Sequence, residues 1–153
     1  MANKVEETRR IAKELRLLYG GSSWLGPSIQ DLIGDLDEER ARARPIRESH
    51  SIWELVLHMA AWLKIARERL SATSDRDASD EENWPATEGS WEEAKAALAN
   101  EVTALEQAIL DFPDERLEER APAGQVQTFY ILLHGVIQHT AYHGGQIALL
   151  KKA

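Results

Sequence analysis

Helix-capping signals stand directly ahead of apolar stripes of helical spacing along this chain, and no segment alternates apolar and polar residues as a strand would. Ser51-Ile52-Trp53-Glu54 is a Ser-x-x-Glu capping box before an apolar run, which predicts a helix from Ser51 to about Leu70. Ser90-Trp91-Glu92-Glu93 repeats the box, and the stripe Ala94, Ala97, Leu98, Val102, Leu105 and Ile109 carries a helix until Pro113. Thr128 or Gln127 caps a last helix, Phe129 through Leu150, with Lys151 and Lys152 at the negative end of its dipole. At the other end of the chain Val5, Thr8 (by its methyl), Ile11, Ala12, Leu15, Leu18 and Tyr19 follow the same rhythm until Gly20-Gly21 stops it. The expected class is all-α: a four-helix bundle with a short extra helix after the first.

That short helix begins at Gly26-Pro27, with Pro27 suited to its first position and Ile29, Leu32, Ile33 and Leu36 on one stripe. Asp37 to Arg44 reads as a solvated helix end and connection before Pro45. Ser71 to Gly89 reads as a long acidic connection with one basic residue, Arg76. Connections beyond about 12 to 15 residues are uncommon inside compact domains and often functional.

A length of 153 residues with 43% hydrophobic content suits one domain, 1–153. The formal charge of −8 lacks the basic excess that a phosphate backbone demands, so nucleic acid is excluded as the expected partner. Without cysteine, a metal would have to be held by His and carboxylate. Met1 to Arg10 holds no apolar signal core, and no stretch reaches the roughly 18 apolar residues of a membrane span, so a cytoplasmic protein with no membrane partner is expected.

His139 and His143 stand four residues apart on the last helix, about 40° apart around its axis, so both imidazoles can meet one ion. His58 lies among Leu55, Val56, Leu57, Met59 and Ala60, where an uncompensated ring is costly and a partner is needed. Three neutral imidazoles with an open fourth position make up a catalytic zinc site. The same spacing also arises in helices that bind no metal, where hydrogen bonds satisfy the rings. His-Glu-x-x-His, the zincin signature, is absent. At about 1.5 Å per residue, His58 lies roughly 10 Å from the start of its helix, while His143 and His139 lie roughly 10 and 16 Å from the end of theirs. Those depths agree when the two helices run antiparallel. An up-down-down-up bundle has that property and requires a long second crossover, which Ser71 to Gly89 supplies.

His134 points about 140° and 180° away from the other two rings on its helix and reads as a hydrogen-bonded packing residue, His50 as a surface or loop-anchoring one. Glu54 shares the His58 face and could orient that ring or accept a proton, although its place three after Ser51 favours capping. Gln146, three after His143, could bond a substrate or solvate the bundle end. Gly144-Gly145 within a helix costs about 1 kcal/mol per glycine and signals either close backbone approach or room for a ligand. The five tryptophans, Trp24, Trp53, Trp62, Trp84 and Trp91, are expected as core and loop anchors.

Taken together, Trp24-Leu25-Gly26-Pro27-Ser28, the run His50 to His58, Asn83-Trp84-Pro85 and above all His134-Gly135-Val136-Ile137-Gln138-His139-Thr140-Ala141-Tyr142-His143-Gly144-Gly145-Gln146-Ile147 resemble the DinB/YfiT-like superfamily of metalloenzymes, in its DinB-like branch. The resemblance implies an up-down-down-up bundle with a metal triad at His58, His139 and His143. It also implies zinc or nickel as the ion and a homodimer. Relatives include metal-dependent transferases and isomerases that use small thiols. The implied activity is transfer or hydrolysis of a small-molecule substrate through a metal-activated water or exogenous thiol. The alternative is a non-catalytic metal- or ligand-binding bundle acting as a stress-related interaction protein. Leu25 departs from the family pattern, which commonly has His there.

Overall fold

A computed structural model describes residues 6–73, 75–122 and 127–153. Its elements in chain order are α1 (Glu7–Gly20), α2 (Ile29–Gly34), α3 (Glu38–Arg42), α4 (Ile52–Arg69), α5 (Asp80–Asn83), α6 (Trp91–Leu110), a 3-10 turn (Asp114–Arg116) and α7 (Phe129–Leu150). Among the described residues no strand forms, and no helix is long and apolar enough to cross a membrane.

The capping signals become caps. The Ser51 and Ser90 hydroxyls accept from the N–H of Glu54 and Glu93, whose carboxylates accept in return from the serine N–H groups. Thr128, rather than Gln127, caps α7 by accepting from Ile131 N–H. Three expectations are corrected. The helix expected from Pro27 starts at Ile29, because Ser28 and Asp31 form a capping box of their own. The segment read as a solvated connection contains α3, capped by Asp37 and held by the fully buried Ala41 and by Arg42, whose guanidinium carbon lies 4.1 Å over the Trp53 ring. The acidic connection is interrupted by α5, capped by a Ser79–Glu82 box.

The core is formed by the stripes of the long helices. Ile11 and Leu15 of α1, Trp53, Met59 and Leu63 of α4, Leu98, Leu105 and Ile109 of α6, and Leu133 and Ile147 of α7 are essentially inaccessible to water. Trp53 and Trp91 meet with ring centroids 5.8 Å apart near the starts of α4 and α6, and Arg67 and Glu101 pair at 3.0 Å further along both. The Trp91 indole N–H also donates to the Leu36 carbonyl at 2.8 Å, which fixes the loop after α2 to the core.

The start of α1 is capped from a distance. Glu6 offers no side-chain cap, and Asp114 instead accepts from Glu7 N–H at 2.7 Å, Thr8 N–H at 2.9 Å and the Thr8 hydroxyl at 2.8 Å. Further along, Arg16 of α1 reaches Glu106 of α6 at 3.2 Å. The first N–H groups of α7 are satisfied in part by the chain before it, Phe129 by the Glu119 carbonyl and Tyr130 by that of Leu117.

The paired glycines of α7 divide the two roles open to them. A Cβ on Gly144 would meet Ile29 Cδ1 at 2.6 Å, so α2 packs directly on this backbone, whereas a Cβ on Gly145 meets nothing within 4 Å. Gly145→Ala is therefore expected to gain up to about 1 kcal/mol of helix propensity. Gly144→Ala sets that gain against overpacking of about 1–3 kcal/mol and nets a loss. Equal urea midpoints for the two variants would contradict this assignment.

Candidate metal centre

The middle of α7 and the N-terminal half of α4 bring three imidazoles together. The ring of His58 is 4.8 Å from that of His139 and 4.7 Å from that of His143 by centroid, and the ligand nitrogens of the three lie within 4.8 Å of one another. His58 and His143 are 4% and 6% exposed, and His139 is half-buried. His58 Nε2 and His143 Nε2 each stand 3.0 Å from His139 Nε2.

The other nitrogens fix which atoms carry protons. His58 Nδ1 donates to the Asn83 carbonyl at 2.6 Å, and His143 Nδ1 donates to Gln146 Oε1 at 2.5 Å. Both Nε2 atoms are then bare lone pairs turned toward His139 Nε2, which has at most one proton to offer. At least one of these lone pairs is left without a proton to accept, and a cation among them would satisfy all three. The 3.0 Å separations lie close to the roughly 3.3 Å edge of a tetrahedron with zinc–nitrogen bonds of about 2.05 Å. The donor set thus fits a divalent ion. His139 Nδ1 is buried without a partner among the described residues, so no acceptor fixes a proton on that side of its ring.

Electrostatics keep the rings neutral. Burial, then the neighbouring His143 and His58, push His139 down to about 4. Burial also lowers His58, opposed by its bond to Asn83, and lowers His143, opposed by its bond to Gln146. Neutral imidazole is the form that ligates metal.

The supporting residues come from the long connection. Asn83 ends α5, where its carbonyl has no partner within the helix and is free to accept from His58. Its side-chain Oδ1 accepts from the Trp62 indole N–H at 2.7 Å, so two residues one turn apart on α4 hold the same asparagine. Trp84 lies between two imidazoles, stacked on His58 at 3.9 Å and on His50 at 3.7 Å.

Glu54 is occupied by its cap: its carboxylate accepts from Ser51 N–H at 2.7 Å and pairs with Arg44. Burial raises its pKa, but the bonds from Ser51 and the charge of Arg44 outweigh that and hold it low. The group that orients His58 is Asn83. Gln146 touches His143, and its amide nitrogen faces the Tyr142 hydroxyl at 3.4 Å. His134 packs on Tyr130 and stands 3.6 Å from Glu14, but its buried Nε2 has no partner among the described residues, short of the hydrogen-bonded role expected. The tryptophan expectation holds for Trp53 and Trp91. Trp24 is instead fully exposed, and Trp62 lines a cleft. Leu25 and Gly145 border a different groove, beside Tyr142, that none of the three histidines lines.

The cleft beside the histidines has a volume of about 320 Å³ and runs between α4 and α7 from His58 and His139, past Trp62, Gly135 and Val136, to Arg69. Sequence reasoning missed Asn83, Trp62 and Arg69 as parts of this site.

Helices alone with a buried histidine cluster define an all-α protein with a candidate metal centre. The model of the DinB superfamily matches residues 27–147, and the chain belongs to that superfamily. Neither a curated protein nor a solved structure matches it.

The depressed imidazoles set a pH dependence for the metal-free protein. Against an ordinary value of 6.5 in the unfolded chain, His139 in the folded state takes its proton only near about 4. The unfolded state gains protons first as pH falls. Stability is therefore complete above 6.5 and lost progressively between 6.5 and about 4. Melts across that window should show a falling Tm, with a shallower fall in His139→Gln, and a level wild-type Tm would contradict the burial of neutral rings.

Proposed function

We propose that His58, His139 and His143 hold one divalent ion, zinc or nickel, and that the protein is a metal-dependent enzyme carrying out transfer or hydrolysis on a small molecule in the adjoining cleft. The observation that carries this reading is the convergence of three Nε2 lone pairs at the end of an accessible cleft. When bound, such an ion supplies Lewis-acid activation of a water or an exogenous small thiol. The chain's own residues do the rest. Asn83 and Gln146 keep the protons of His58 and His143 on Nδ1, so that both Nε2 atoms stay basic and aimed. Trp84 covers one face of His58, and His50 covers the far face of Trp84, which limits water on that side. Trp62 and Val136 give the reacting molecule an apolar wall. Because two histidines line the cleft, the enzyme reading is favoured over a closed structural ion.

The proposal includes an up-down-down-up order of the four long helices in one domain. Its support is the run of contacts: Trp53–Trp91 and Arg67–Glu101 ascend together, while Thr8–Asp114 and Arg16–Glu106 run in opposite senses. We also infer a cytoplasmic location and a homodimer, the dimer supported by the exposed Leu25 and Tyr142 that border one groove and by the exposed Trp24 next to Leu25 in the chain. Sedimentation at 17.2 kDa alone would remove the dimer.

Elemental analysis of protein purified without an affinity tag is expected to find near-stoichiometric zinc or nickel, lost in His143→Ala. Gln146→Ala should keep the fold and weaken metal affinity by about 10- to 100-fold. Glu54→Ala should leave metal content unchanged while costing about 1 kcal/mol of stability through loss of the capping box. Equal metal in wild type and His143→Ala would overturn the site. Loaded protein that turns over none of a panel of small thiols and electrophiles would return the reading to a non-catalytic bundle.

A further inference from the structure

Arg69, the last residue of α4, is only 9% exposed, yet among the described residues its guanidinium makes no hydrogen bond and no ion pair. Its neighbours are unlike it. Arg67 is paired with Glu101, and Arg76 is paired with Glu82 through two hydrogen bonds. What Arg69 has is the face of Trp62, 5.8 Å from its guanidinium carbon, and a through-space attraction to Asp77 opposed by Arg76. Burial lowers its pKa, the mark of a charge partly withdrawn from water with no ion-pair partner. Such a charge is costly to keep, and nothing in the packing requires a guanidinium there.

The position suggests what offsets that cost. Arg69 lines the cleft that ends at His58 and His139, with Ala66, Leu132, Gly135 and Val136 between. Trp62 links the two ends, 5.8 Å from Arg69 on one side and 5.8 Å from the His139 ring on the other. Those two spans bound the length of anything that touches both. Among the described residues no other cationic side chain lines the cleft. One guanidinium matches one carboxylate through two parallel N–H···O bonds, while a phosphate dianion would leave charge uncompensated against apolar walls.

We propose that the cleft takes a small monocarboxylate, its carboxylate on Arg69, its apolar body along Trp62 and Val136 and its far end at the histidines. This deepens the proposed function and rests on reading the cleft as the substrate's place, but it concerns Arg69 and is tested without turnover.

The test is calorimetric binding of butyrate, hexanoate and octanoate, each against its amide, to the full chain as purified and after chelation. Chelated protein shows whether a carboxylate binds without an ion to ligate. At least one acid of the series is expected to bind about tenfold or more tightly than its amide in both preparations. Arg69→Met should abolish that preference and leave amide binding unchanged, and Arg69→Lys should restore part of it. Because a partly buried guanidinium with no ion-pair partner is replaced by an apolar side chain, Arg69→Met should melt no lower than wild type. Equal binding of acids and amides, a preference that survives Arg69→Met or disappears on chelation, or a marked fall in its Tm would overturn the proposal. Acid preference in a wild type that carries no metal would support the Arg69 site while removing the metal reading. Metal without acid preference would do the reverse.

Discussion

Burying three imidazoles against one another is possible only if something decides where their protons sit. The decision is made outside the cluster, by the Asn83 carbonyl on His58 and by Gln146 on His143. Each is an acceptor, so each holds the proton on Nδ1 and turns a lone pair inward. Gln146 comes with α7, one turn beyond His143. Asn83 does not come with α4; it is delivered by a four-residue helix inside a connection that otherwise has little apolar content. The Trp62 indole then locks the same asparagine by its side chain. The connection between α4 and α6 is thus more than a length of chain, because its middle is fastened to the histidine cluster.

The distribution of aromatic rings reflects the same arrangement. Trp53 and Trp91 pack in the core near the starts of α4 and α6, whereas Trp62 and Trp84 pack on the histidines. Stacking an indole on an imidazole covers apolar ring surface without taking up a ring nitrogen, so packing leaves those nitrogens free for other partners. His50 extends the stack from the loop before α4 and thereby ties the start of that helix to the same connection.

The long helices are legible in the sequence where a cap and a 3.6-residue apolar stripe agree. Where one signal is missing, the reading is incomplete. Ser79 and Glu82 form a true capping box, but no apolar run comes after it; α5 exists because tertiary bonds from His58 and Trp62 complete what propensity leaves undone. Ser28 pairs with Asp31, one methylene shorter than the Glu of the usual pattern, and the adjacent Pro27 gives a competing start signal. The convergence of His58, His139 and His143 is foreseeable from helical phase and depth. So is the place of Arg69: positions 58, 62, 66 and 69 share one stripe of α4, and the guanidinium falls in line with His58. Its lack of a partner is a three-dimensional fact that no spacing encodes.

The cap on α1 has a consequence for the order in which the molecule is completed. Its first N–H groups are satisfied by Asp114, 107 and 106 residues further along the chain. During synthesis α1 leaves the ribosome well before Asp114, with a suitable apolar stripe but an unfinished end. The chain must emerge through α6 and the turn beyond it before that end can close. Closing so wide a loop carries an entropic cost that only the docked α1–α6 pair offsets. The start of α1 is therefore sealed only after α6 and the turn beyond it have been made, and the helix depends on a distant part of the chain for its own completion.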